Sequence, residues 1–114
     1  MKLFKTTLII CLGLSLSLLN SCGPASAKTA TFKVWGNCEM CKETIEGSLK
    51  TAGVIKADWN KDTKIMNITY DTLKISLDDI HKRIAGVGYD TEKLKGDDQA
   101  YNNLHQCCQY KRKD

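Results

Sequence analysis

The chain has 114 residues and a formal net charge of +4, from 17 Lys and Arg against 13 Asp and Glu. Setting aside an amino-terminal leader leaves about 90 residues, enough for one small domain and too few for two. Without Lys2 and Lys5 of that leader, 15 basic residues face 13 acidic ones, and this weak, interspersed charge argues against a nucleic-acid partner.

Residues 1–27 read as a secretory signal. Lys2 and Lys5 precede the apolar run Leu8 to Leu19, which gives way to small and polar residues. That run is too short for a permanent membrane span, and no later stretch approaches roughly 18 consecutive apolar residues. Two cleavage sites compete. Ala25-Ser26-Ala27 suits ordinary signal peptidase, whereas Leu19-Asn20-Ser21-Cys22 resembles a bacterial lipobox in which Cys22 becomes the lipidated first residue. The lipobox is preferred, because a Cys closing the apolar run after Leu-x-Ser is an improbable coincidence. The expected product is an exported lipoprotein facing the periplasm or cell exterior, touching the membrane only through its anchor. A soluble periplasmic protein is the alternative.

The next segment, 28–95, alternates two periodicities. Ala30, Phe32 and Val34 share one face of a strand over about 30–35. Cys41, Ile45, Leu49 and Ala52 then recur at helical spacing over 39–52, with Gly53 as the stop. Residues 54–59 and 64–70 read as two strands joined by the turn Asn60-Lys61-Asp62, the second placing Met66, Ile68 and Tyr70 on one face. Ser76, with Asp79 three residues on, caps a second helix that presents Leu77, Ile80 and Ile84. Gly86 and Gly88 end it, and 89–94 is expected to be the last strand. The order βαββαβ predicts an α+β ferredoxin-like sandwich, a four-stranded antiparallel sheet with two helices on one face. Residues 96–114 are a cysteine-containing extension with a short helix near 97–105.

The chemistry lies at the end of the first strand. Cys38 and Cys41, two residues apart where strand passes into helix, can turn both sulfurs toward one small ion. Thiolates are soft donors, so copper(I), zinc, cadmium or mercury suit the pair better than magnesium or calcium. Two thiols fit a low-coordinate ion such as copper(I), whereas structural zinc normally takes four ligands. The helix start and Lys42 are expected to depress the thiol pKa.

From about Ala30 to Leu94 the sequence resembles the heavy-metal-associated domain family of small copper chaperones, copper-ATPase amino-terminal domains and periplasmic mercury-binding proteins. The resemblance rests on Val34-Trp35-Gly36-Asn37-Cys38-Glu39-Met40-Cys41 and on Gly88-Tyr89 after the second helix. It implies that Cys38 and Cys41 hold the metal, that the aromatic shapes the surroundings of the site, and that metal passes by ligand exchange to a partner such as an efflux pump or transporter component. The family's Met before the first Cys is missing. Gly36-Asn37 stands there, so Met40 or Trp35 is expected to fill the space beneath the loop.

Cys107 and Cys108 lie outside the family pattern. Neighbouring cysteines bridge each other only with strain, so they are expected to fold back toward Cys38 and Cys41 and offer further thiolates, with His105 in reserve. Four sulfurs would favour zinc or cadmium, or a small copper(I) cluster. Plainer readings stand beside these: a disulfide between Cys38 and Cys41 or from the tail to that pair, a solvated His81, a solvated Lys111-Arg112-Lys113 tail, and Trp35 and Trp59 as hydrophobic anchors. Thiol-disulfide exchange is the rival function, weakened because no proline follows Pro24 to supply the cis-proline of thioredoxin-like sites. No catalytic constellation is visible, so the chain reads as a metal carrier and not an enzyme.

Overall fold

The computed structural model describes residues 25–114. Cys22 and the lipobox therefore lie outside the described residues. Within these bounds β1 (Ala27–Lys33), α1 (Glu39–Gly47), β2 (Val54–Trp59), β3 (Ile65–Asp71), α2 (Leu77–Gly86) and α3 (Asp98–Asn102) follow in order, and a 3-10 turn spans Gln106–Cys108. No helix among the described residues is long and apolar enough to cross a membrane.

The sheet is antiparallel, in the order β1-β3-β2. Its register aligns Phe32 and Trp59 on either side of Met66, so three large side chains stand abreast. Ile45 and Leu49 from the first helical region, and Ile80 and Ile84 from α2, close over that row to form one hydrophobic cluster. Ser76 accepts from the Asp79 backbone N–H while the Asp79 side chain accepts from that of Ser76, which fixes the start of α2. Asn60 Oδ1 accepts from the backbone N–H groups of Asp62 and Thr63, closing the β2–β3 turn.

Several expectations fail here. The fourth strand does not form. Among the described residues a single antiparallel bridge, Val34 with Thr91, stands in its place just past the end of β1. Thr91 Oγ1 accepts from the backbone N–H groups of Lys93 and Leu94, and the Thr91 N–H bonds Leu94 O. These local bonds curl the chain where a strand would need it extended. The first helix ends at Gly47, leaving Ala52 exposed in the turn that follows. His81 is not a surface residue: it is 1 % exposed, packs against Phe32 with the rings tilted by 37° and their centres 4.1 Å apart, and bonds Thr91 Oγ1 at 2.7 Å.

Nor is the carboxyl-terminal tail merely solvated. Tyr110 is buried, donates to Gly88 O at 2.7 Å, accepts from the Asp90 N–H at 2.8 Å and stacks on Tyr89. Arg112 pairs with the carboxylate of Asp90, a residue 0 % exposed, and reaches Asp98 and Gly96 O. Burial alone would raise the Asp90 pKa, but Arg112 and the N–H groups of Gly96 and Lys113 outweigh it and hold the carboxyl below its usual range. Gly88, at φ +97, leaves no room for a side chain, since a Cβ there would lie 2.7 Å from Tyr101 N. The extension is thus part of the core.

Candidate metal centre

Each element delivers one part of the site. β1 ends at Lys33, and the loop through Val34 to Asn37 turns the chain into α1, putting Cys38 at the cap position and Cys41 on the first turn facing the core. Trp59 supports the loop from below. Its indole N–H donates to Val34 O at 3.0 Å, and a Cβ on Gly36 would meet its ring at 2.8 Å. Trp59 therefore takes the place expected of Met40 or Trp35. Met40 is instead 42 % exposed, and Trp35 lies half-buried with Lys33 Nζ above its ring.

The third element is the extension. Tyr110 and Arg112 anchor it to Gly88, Asp90 and Gly96, and the 3-10 turn just before that anchor drives Cys108 inward. Cys38 Sγ lies 3.2 Å from Cys41 Sγ and 3.6 Å from Cys108 Sγ, and the three sulfurs fall within 4.8 Å of one another. Three sulfurs bound at about 2.3 Å in a trigonal plane would stand roughly 4.0 Å apart, so small movements would close this set on an ion. All are free thiols. Cys107 and His105 do not join this group: Cys107 is exposed, with Sγ 3.7 Å from Cys108 Sγ, and His105 is exposed ahead of the turn.

The thiols are not equivalent. Burial pushes Cys38 up, but hydrogen bonds from the Cys41 thiol and N–H, the Cys108 thiol and the Met40 N–H bring it below its ordinary value. Burial, reinforced by the neighbouring sulfurs, raises Cys108. Cys38 therefore ionises ahead of Cys108, whose proton an arriving cation would displace. Lys42 does not contribute as expected, because its ammonium is taken by Glu46, Asp58 and Trp59 O.

Two neighbours complete the surroundings of the site, the aromatic expected there and Asn37, which was not expected as a partner of the sulfurs. Asn37 Oδ1 lies 3.1 Å from Cys41 Sγ and competes with Cys38 for its one hydrogen, and the buried Tyr89 hydroxyl has no hydrogen-bond partner. Burial, with Cys41 beside it, raises the Tyr89 pKa, so the hydroxyl stays protonated. The Gly88-Tyr89 pair pointed toward the latter. Nothing in the local pattern marked Asn37 except its position before Cys38.

A small α+β domain with a cysteine pair where its first strand meets its first helix, and a third thiol folded onto them, defines a binder of heavy, soft metals. The chain belongs to the heavy-metal-associated domain family, whose pattern matches residues 31–90. It is similar to the CopZ metallochaperone, with 29% identity over 56% of this chain and 98% of that one at a TM-score of 0.54. It is also similar to oxidized MerP from Ralstonia metallidurans CH34, with 31% identity over 58% and 94% at 0.55. A protein of Bacillus anthracis str. Ames, known from its solution structure, shares 28% over 60% and 100% at 0.57. A comparison with curated proteins finds no match. The family match ends at Asp90, so Cys108 lies beyond it.

Proposed function

We propose that this protein carries copper(I) outside the cytoplasm, held by Cys38 and Cys41 with Cys108 as a third thiolate, and passes it to a partner such as an efflux pump or transporter component. The observation that carries the reading is the mutual approach of three sulfurs within 4.8 Å. Three soft donors suit copper(I), while zinc would lack its customary fourth ligand. Similarity to the CopZ metallochaperone supports the same ion. Cys38 is half-buried and the other two are buried, so an incoming partner thiolate approaches from the Cys38 side and displaces the ligands one at a time.

Export rests on the leader, and the amino-terminal contacts favour processing at Cys22. Ser26 donates to Asp71, its carbonyl accepts from Thr72, and Ala27 pairs with Asp71 in the sheet. Cleavage after Ala27 would discard these contacts, whereas cleavage before Cys22 keeps them.

Anaerobic competition titration tests the metal assignment, with copper(I), zinc, cadmium and mercury(II) offered in turn. Copper(I) should fill one tight site per chain in competition with a chelator, and Cys108→Ser should weaken that site by roughly tenfold or more, about 1.4 kcal/mol. Retention of full affinity by the Cys38→Ser, Cys41→Ser protein would remove the assignment, and a preference for zinc, cadmium or mercury(II) would replace the ion.

A further inference from the structure

Sulfur contacts continue past the three buried and half-buried thiols. From Cys41 they run to Cys38 at 3.2 Å, to Cys108 at 3.6 Å, to Cys107 at 3.7 Å and to Met40 Sδ at 3.5 Å. Exposure rises toward the far end: Cys41 and Cys108 are buried, Cys107 is exposed, and Met40 is 42 % exposed. Both outer groups are positioned by the elements that build the inner set. Met40 sits between the two cysteines of the loop motif, and Cys107 rides on the 3-10 turn that delivers Cys108. A large apolar side chain left in water against a thiol calls for a reason, and softness supplies one. Thioethers and thiolates both favour copper(I) and silver(I), and the thioether binds without losing a proton.

We propose that Met40 Sδ and Cys107 Sγ form an outer landing site for a soft monovalent ion, copper(I) or silver(I), in direct sulfur contact with the inner set through Cys108. This rests on reading Cys38, Cys41 and Cys108 as the metal centre. The ion, leaving its donor complex, bonds to the Met40 thioether and to Cys107, whose thiol proton goes to water. A bond to Cys108 forms as the thioether lets go, and the Cys108 proton goes to solvent. Bonds to Cys38 and Cys41 form, each releasing any proton its sulfur still holds, as the bond to Cys107 breaks and that sulfur takes a proton back. The ion stays monovalent and no electron moves. Two sulfurs on a trigonal ion stand roughly 4.0 Å apart, so the outer pair at 3.5 Å needs only a small side-chain adjustment.

Silver(I), which is not oxidised under these conditions, is the equilibrium probe, read by the methionine methyl NMR signals. With the inner set filled by one equivalent, a second should shift the Met40 methyl signal and leave buried Met66 in place, and Cys107→Ser should abolish the shift. In anaerobic stopped-flow transfer of copper(I) from a chromophoric chelator, Met40→Leu and Cys107→Ser should each slow uptake roughly tenfold. Equilibrium affinity should change by less than about threefold. A stationary Met40 signal with unchanged uptake overturns the landing site. Affinity that falls in step with rate also overturns it, by making these residues ligands of the inner set. If Cys38→Ser binds copper(I) as tightly as wild type, the inner reading fails and the relay with it. Normal inner binding beside a silent Met40 sinks only the outer site.

Discussion

His81 shows how a single residue departs from its surface-like sequence context. Lys82 and Arg83 follow it, yet its ring lies in the core against Phe32. Thr91 Oγ1 already accepts two backbone N–H bonds, so its hydrogen is directed to His81 Nδ1, which must then be the unprotonated nitrogen. Nε2 carries the hydrogen and is buried without a partner. Burial, followed by the charge of Lys93, depresses the pKa below 6.5, against the weaker opposing pull of Asp78 and Glu92. Below 6.5 the unfolded chain takes a proton that the folded one refuses, so stability falls with pH from there down to the depressed folded value. The slope approaches about 1.4 kcal/mol per pH unit inside that window. Urea denaturation between pH 7.5 and 5 should show the decline in wild type and a flatter profile in His81→Gln. Parallel profiles would mean that His81 titrates alike in both states.

At the scale of elements, the extension decides whether Cys108 reaches the other sulfurs. Its hold depends on Asp90, whose carboxylate gathers Arg112 and the N–H groups of Gly96 and Lys113. Arg112→Met leaves that carboxylate buried without its cation and should cost about 3 kcal/mol, read as a lower urea midpoint. In the Arg112→Met protein, copper(I) affinity should fall toward that of Cys108→Ser. Wild-type affinity in a destabilised Arg112→Met protein would show that Cys108 keeps its place without the clamp. The cysteine pair was legible in the sequence because its geometry is local, three residues apart at a change of period. The strand and helix order was legible for the same reason, through Phe32, Met66, Ile68, Ile80 and Ile84. The clamp was not, because Asp90 and Arg112 are 22 residues apart and each looks like an ordinary surface charge. The absent last strand was equally hidden, since Thr91 offers no pattern that distinguishes a strand residue from one whose hydroxyl caps its own turn.

Both ends of the described residues reach the candidate metal centre through one small core. The extension supplies Cys108 and Tyr110 to that core, and the amino-terminal strand supplies Phe32 and the loop that carries Cys38. The proposed processing at Cys22 would therefore bear on the fold as well as on location. Ser26 donates to Asp71, helping to hold that carboxyl below its usual range, and its carbonyl receives both the N–H and the hydroxyl of Thr72. A chain beginning at Lys28 loses these bonds, and the Ala27–Asp71 pair with them, and places a charged α-amino group at the new end of β1. The proposed lipoprotein keeps all of them, with the segment from Cys22 to Ala25 as its tether. Mass spectrometry of the mature protein should find an acylated Cys22. A Cys22→Ser chain starting at that residue should melt above one starting at Lys28, in the metal-free state and in the copper(I)-loaded state alike. An unmodified Lys28 terminus together with equal melting temperatures would defeat the tether and the structural argument for it. An acylated Cys22 with equal melting would keep the anchor and reject any role for Ser26 in choosing the site.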